Sequence, residues 1–317
     1  MAMKLFEARR TYLDWAASAP ASTKATRAFV RTLAAFGNPS SRHDEGREAR
    51  RILEEARASI ARLLVVKADE IIFTSGATEA NNIAIQGVAK PGRHALYLPR
   101  THSSVVETMR ALEARGVAIE PLPVKDGIVD VGAIQKLLRP ETALVSMDYV
   151  CGETCTIWNV RDVKHALLAG VLLHVDASQA PLVEQVERTR LAGDLITLDA
   201  GKLGGIHGAG ILIAPRELGV AAIGFGGGQE RDIRSGTQAV AIIAAFAAAL
   251  EEAQQGRTAF TTRAQSAREN LVRTIERIPD LFVNQGKHGV PHILNLSLVG
   301  HDTDYLVALL NESGFAV

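Results

Sequence analysis

The sequence predicts an α/β fold, a seven-stranded, mostly parallel sheet between helices, followed by a smaller C-terminal α+β unit. Short apolar runs recur along the chain, and helical patterns separate several of them. The 317 residues also exceed the size at which a single core usually stops growing, which favours one large domain plus a small one. Hydrophobic residues make up 47% and charged residues 22%, so a sizeable core can be buried.

The first clear element is "DEGREARRILEEARASIARLL", residues 44 to 64. It sets Ile52, Leu53, Ala56, Ile60 and Leu63 at helical spacing, with charges on the other face. Seven apolar runs follow: "IIFT" (71–74), "ALYL" (95–98), "AIEPL" (118–122), "ALVSM" (143–147), "VLLHV" (171–175), "LITL" (195–198) and "GILIA" (210–214). Between them lie helical stretches such as "TEANNIAIQGVA" and "SSVVETMRALEARG", and strands alternating with helices imply a sheet covered on both faces.

An alanine-rich helix is expected over about 238–254, ending near "QQGR". The domain boundary is placed there. Residues 1–255 form the large domain and 256–317 a small, incomplete one, on which the N-terminal segment can also pack. The small domain is expected to hold a helix over about 258–277, the strand-like "HILNLSL" (292–298) and a helix over about 303–312. The final "NESGFAV" reads as a helix end followed by the start of a strand.

Lys+Arg equals Asp+Glu, so no net positive field draws the chain to nucleic acid or to an anionic membrane. The longest apolar run, "AVAIIAAFAAAL" (239–250), is shorter than the ~18 residues that suggest a membrane span. "MAMKLFEARR" lacks the apolar core of a signal peptide, and two cysteines are too few for a disulfide framework. A cytoplasmic location is expected.

Ligands of open α/β sheets sit beyond the carboxyl ends of the strands. One run there ends in Asp176 and then offers Gln179; the next ends in Asp199 and leads to Lys202 within "LDAGKLGGIHGAG" (198–210), where five glycines surround one cation. "IIFTSGATEANN" ends a strand at Ser75, Gly76, Ala77 and Thr78 and opens a helix, presenting unpaired N–H groups to an anion. An amine, a carboxylate 26 residues upstream and a phosphate cup are what pyridoxal 5'-phosphate requires. The glycines beside Lys202 let the backbone come close to such a cofactor.

Two other motifs are set aside. "GFGGGQ" (224–229) lacks the spacing of a nucleotide loop, and Cys151 and Cys155 in "CGETC" lack the second Cys/His pair of a zinc site. His165, His207 and His288 show no metal spacing and read as surface residues.

From "YLDWAASAP" (12–20) through "FGNPSSRHDEG", "EIIFTSGATEANNIAI", "RTHSSVVET", "HVDASQ", "DAGK" and "GGGQERDIRSGTQ" to "HILNLSL", the chain resembles the class V aminotransferases of pyridoxal phosphate fold type I, and within them the cysteine desulfurases. The resemblance implies that Lys202 is the Schiff-base lysine and Asp176 the partner of the pyridine nitrogen. It implies that His102 stacks on the ring and assists proton transfer, and that Gln179 bonds the phenolic oxygen. Ala77 and Thr78 would bind phosphate, and Thr237 would reach the phosphate of the neighbouring subunit in a homodimer. Thr237 also reads as an N-cap of the long helix. The implied reaction takes sulfur from L-cysteine, leaves alanine, and places the sulfur as a persulfide for an acceptor protein, often an iron–sulfur scaffold.

Departures from the family bear on function more than on fold. Asp199 and Gly201 stand where the family carries a serine and a histidine that help bind phosphate, so weakened cofactor binding is expected. The family's substrate-side asparagine falls near Gly152. The cysteine loop that accepts sulfur and the arginine that holds the substrate carboxylate lie past Val317 in the family, so a surrogate such as Cys151 or Cys155, or another segment or chain, is expected to accept sulfur. Another class V reaction, a lyase or transaminase, or a non-catalytic or split homologue are the alternatives.

Overall fold

The computed structural model describes residues 10–317. The reading of "MAMKLFEARR" as lacking a signal segment lies almost wholly outside the described residues. In chain order the strands and α-helices are β1 (Thr11–Tyr12), α1 (Thr23–Thr32), α2 (Asp44–Leu64), β2 (Ile71–Thr74), α3 (Ala77–Val88), β3 (His94–Tyr97), α4 (Ser103–Glu113), β4 (Ala118–Pro121), β5 (Val124–Lys125), β6 (Ile128–Val129), α5 (Val131–Leu137), β7 (Thr142–Asp148), α6 (Val160–Ala166), β8 (Leu172–Asp176), α7 (Arg188–Leu191), β9 (Leu195–Asp199), β10 (Gly210–Ile213), α8 (Val240–Ile275), β11 (Leu281–Asn284), β12 (Asn295–Leu298), α9 (Thr303–Glu312) and β13 (Phe315–Ala316).

All seven apolar runs enter one sheet, in the order β2-β10-β9-β8-β7-β3-β4. Every residue of β2, β7 and β10 is buried, which is why these segments read as continuous apolar runs rather than alternating ones. The pairs β3–β4, β3–β7, β7–β8 and β8–β9 are parallel, whereas β10 runs antiparallel to both β9 and β2. Only ten residues separate Asp199 from Gly210. A parallel return needs a crossover of about a dozen residues or more, so this short link forces the reversal.

The reversal brings the start of β10 against the end of β2. A Cβ on Gly210 would lie 2.5 Å from the backbone of Gly76, so the close approach requires glycine there. Gly76, with φ +154°, is the N-cap position of α3 and turns the chain from β2 into that helix.

Helix α2 has the bounds its pattern predicts, and buries Ala49, Leu53, Ala56, Ile60 and Leu64. It is also tied inward by a charge. Arg57 forks onto Glu230 through two 2.9 Å hydrogen bonds, donates to the Ile71 carbonyl, and stacks 4.5 Å from the centre of the Phe73 ring. Glu230 in turn accepts from the Phe73 N–H and from Gln238.

The C-terminal region departs from its expected outline. Helices over 238–254 and 258–277 are in fact one, α8, which passes through Gly256 and through the expected boundary at residue 255. Gly256 is exposed, with open space around it. Its cost of about 1 kcal/mol in a helix interior is too small to break a 36-residue helix whose first half packs in the core. Thr237 does not cap α8; Ala239 is its N-cap residue and gives no side-chain bond.

The strand expected over 292–298 is shorter, β12, and pairs antiparallel with β11, which carried no clear signal. Helix α9 falls within its expected range, capped by Asp302. The terminal β13 pairs in parallel with β1, so the two ends of the described chain meet. No helix among the described residues is long and apolar enough to cross a membrane.

Candidate active site

Strands β7, β8 and β9 lie side by side and end in Asp148, Asp176 and Asp199. A cavity of about 670 Å³ opens beyond these ends, within the size range of small-molecule sites. Lys202, His102, Asp176, Gln179, Ala77 and Thr78 all line it, so the structure brings six of the seven expected site residues together. Thr237 is the exception, exposed on the loop before α8 and away from this cavity. A second cavity of about 650 Å³ lies beside Arg57 and Glu230, but those charges are already spent on each other.

Lys202 ends the short 3₁₀ turn Ala200–Lys202 that follows β9. Its ammonium donates to the carbonyls of Ala16 (2.9 Å) and Ala17 (2.7 Å) and has no carboxylate partner among the described residues. Gln179 Nε2 donates to the same Ala16 carbonyl at 2.8 Å. The segment before α1 therefore fixes both side chains. A Cβ on Gly152 would approach Gln179 Nε2 to 3.1 Å, so the missing side chain at 152 leaves room for that amide.

Asp176 is held by two donors, Asn81 Nδ2 at 2.8 Å and the Ser178 N–H at 3.0 Å. Asn81 Nδ2 also donates to Ser104 Oγ at 2.9 Å, and Ser104 Oγ lies 2.8 Å from His102 Nδ1. The Ser104 N–H donates to the same Nδ1 at 3.1 Å, capping α4. Because Nδ1 accepts, a neutral His102 carries its proton on Nε2. One network thus orients both the carboxylate and the imidazole. Asn81 and Ser104 were not singled out from sequence, because the bonds that give them a role span 95 and 23 residues.

Asp148 is a further residue that sequence reasoning passed over. It is the register partner of Asp176, lines the same cavity, and is 7% exposed, with Oδ1 lacking any hydrogen-bond partner. Burial, reinforced by the neighbouring Asp176 charge, pushes its carboxyl up to about 8. The strand-end rule that singled out Asp176 and Asp199 also covers Asp148, one residue past the "ALVSM" run. Cys151 also lines the cavity, its Sγ 3.4 Å from the Thr154 N–H. Cys155 lies outside the cavity lining, fully buried, with Arg268 3.9 Å from its sulfur, and burial raises its thiol pKa.

At the amino end of α3 the expected anion cup is present but engaged. The Ala77 N–H donates to Asp199 Oδ2 at 2.8 Å, and the Ser75 N–H, in the turn before α3, donates to Glu79 in the first turn of that helix. Glu79 is in turn paired with Arg234 at 2.9 Å.

Residues 11–317 match the family model described as aminotransferase class-V. The chain belongs to the class-V aminotransferase family. The chain is 35% identical over 318 residues to a protein named cysteine desulfurase IscS from Dictyoglomus turgidum, covering 98% of this chain and 81% of that one. A solved structure titled NifS-like protein superposes with a TM-score of 0.92 at 30% identity, covering 97% of this chain and 87% of the other. Another, titled SspA in complex with cysteine, gives 0.81 at 25% identity over 96% and 87% of the two chains.

Pyridoxal phosphate is the cofactor of this family, and the chain is cysteine desulfurase-like. The cavity fits the ring and aldehyde of that cofactor. Its amine is free of acidic partners, its ring-side carboxylate is fixed, and Ser178 Oγ, Thr101 Oγ1 and Asp148 Oδ1 are buried without partners in the chain. The phosphate end is the one poor match, because Asp199 already holds the Ala77 N–H.

Proposed function

We propose that this cavity holds pyridoxal phosphate against Lys202 and takes L-cysteine as substrate, releasing alanine and leaving its sulfur on a thiol. The observation that carries the reading is the cavity-lining amine of Lys202, held by two backbone carbonyls beside a strand-end carboxylate fixed by two donors. Bound pyridoxal phosphate supplies an aldehyde for amines and an electron-accepting ring. Asp176 is oriented to keep a ring nitrogen protonated, and Gln179 offers its amide to a ring oxygen. Lys202 Nζ, once it leaves the Ala16 and Ala17 carbonyls, moves the proton at the substrate's Cα. His102, with Nδ1 occupied, works from Nε2.

The overall balance is simple. A thiolate attacks the substrate sulfur, the Cβ–S bond breaks, its electron pair returns to Cβ with a proton, and a persulfide and alanine result. Cys151 is the cysteine among the described residues whose side chain lines this cavity. A sulfur-accepting protein then follows as partner. A homodimer in which Thr237 serves the neighbouring cavity agrees with the exposure of that residue away from its own. Two free, buried thiols agree with a cytoplasmic location.

The test is to incubate the protein, supplied with pyridoxal phosphate, with L-cysteine and a dithiol. Alanine and sulfide in equal amounts, both abolished by Lys202→Ala, are expected. Pyruvate in place of alanine identifies a lyase, and visible absorption unaffected by Lys202→Ala removes Lys202 from its role.

A further inference from the structure

Asp199 bridges two elements of the site. Its Oδ2 accepts from the Ala77 N–H at the start of α3, and its Oδ1 accepts from the Gly201 N–H in the turn that carries Lys202, both at 2.8 Å. A Cβ on Gly76 would lie 3.2 Å from Oδ2, so the carboxylate is pressed into the floor of the cup rather than swung out to solvent. The Ser75 N–H, the other bonded donor of this turn, is taken by Glu79. The cavity's anion seat therefore already holds an anion, supplied by the chain.

The neighbours of Asp199 do not offset a second anion there. Glu79 is turned to Arg234, whose guanidinium is thereby engaged. Lys202 is directed to the carbonyls of Ala16 and Ala17. His207 packs over Gly201, where a Cβ would meet its ring at 2.9 Å, and its Nε2 lies 2.7 Å from Ser18 Oγ. A phosphate entering this end meets a carboxylate in possession of the Ala77 N–H, with Thr78 the neighbouring cavity residue left to receive it.

We propose that Asp199 is a specificity-determining residue that competes with the cofactor's phosphate for the seat at Ala77, so that the cavity gains little from that phosphate and discriminates weakly between pyridoxal phosphate and pyridoxal. The inference rests on the pyridoxal phosphate reading and concerns one end of the ligand. Loading with the phosphorylated form requires the Asp199 carboxylate to leave Ala77 and Gly201. Loading with pyridoxal, which has a hydroxymethyl group in place of the phosphate ester, leaves both bonds in place.

Equilibrium dialysis of the cofactor-free protein against each aldehyde, followed by its visible absorption, gives two dissociation constants and their ratio. In Asp199→Ser the constant for pyridoxal phosphate is expected to fall by about tenfold or more, since a like-charge contact and a competing acceptor are removed together. The constant for pyridoxal is expected to change by less than about threefold, because its 5' group is uncharged. Asp199→Asn keeps an acceptor for Gly201 and loses the charge, so its ratio should fall between those of the parent and the serine variant.

A general loss of folding weakens both aldehydes and leaves the ratio alone, so an unchanged ratio in both variants overturns the proposal. A parent protein that already prefers pyridoxal phosphate over pyridoxal by more than about a thousandfold overturns it as well, since the phosphate would then supply ~4 kcal/mol. Failure of either aldehyde to bind the parent, or binding that survives Lys202→Ala unaltered, instead sinks the cofactor reading on which this rests.

Discussion

Asp148 and Asp176 are register partners at the ends of two adjacent parallel strands, each 7% exposed and both facing one cavity. Their surroundings separate them. Asp176 accepts two hydrogen bonds, whereas Asp148 Oδ1 accepts none, and two neighbouring buried carboxyls cannot both ionise cheaply. Asp148 therefore keeps its proton near neutrality, because burial first and the neighbouring Asp176 charge after it disfavour its ionised form.

This pairing makes stability pH-dependent in a definite direction. The Asp148 carboxyl is pushed up to about 8 in the fold, against about 3.9 in an unfolded chain, so the native state keeps a proton the unfolded state has lost between those values. Its contribution to stability is full below about pH 4, declines as pH rises, and is gone above about pH 8. Asp148→Asn cannot titrate. Urea unfolding of the cofactor-free protein between pH 5 and 8 should show the asparagine variant gaining on the parent by a few kcal/mol across that window. Parallel pH profiles would mean that Asp148 ionises normally.

The two thiols should differ in reactivity. Cys151 lines the cavity and Cys155 does not, and burial raises the Cys155 pKa, lowering its thiolate fraction. Iodoacetamide at mild pH is expected to label Cys151 roughly tenfold faster than Cys155. Saturating pyridoxal phosphate should slow the Cys151 reaction alone. Peptide mapping by mass spectrometry reads both rates, and faster labelling of Cys155 would remove Cys151 as the cavity thiol.

The Arg57–Glu230 pair should be a large single contributor to stability outside the site. Glu230 has no exposed side-chain surface and accepts from Arg57, Phe73 and Gln238. Glu230→Gln leaves the buried Arg57 guanidinium with only the half-exposed Glu54 carboxylate, 3.1 Å away, as counter-ion, so the expected cost is at the low end of the about 3–5 kcal/mol lost when a buried pair is broken. Chemical denaturation should show that loss. A cost below about 1 kcal/mol would mean the pair is solvated as surface pairs are.

The central sheet was legible because strands buried on both faces read as near-continuous apolar runs, and each of the seven runs became a strand of that sheet, the more exposed edge strand β4 included. Helix α8 was misread as two, since Gly256 looks like a stop when the packing of Phe246, Leu250 and Phe260 against the core is not in view. Strand β11 was missed because "LFVN" is short and half-exposed, and its pairing strand is β12, further along the chain. In the site, Lys202, His102, Asp176 and Gln179 stood out through the motifs that carry them, whereas Asp148 did not, because its meaning lies in the strand beside it.

By itself the sequence determined the fold class and the family and singled out Lys202, Asp176 and His102, since each depends on local pattern and on motifs kept in order. The tertiary structure alone decided what those groups touch. That Asp199 fills the seat at Ala77, that Asp148 stands against Asp176, and that Asn81 ties Asp176 to His102 through Ser104 are contacts across 122, 28 and 95 residues. Hydrogen bonding and ionisation are set by neighbours in space, and at such separations only the folded chain assigns those neighbours.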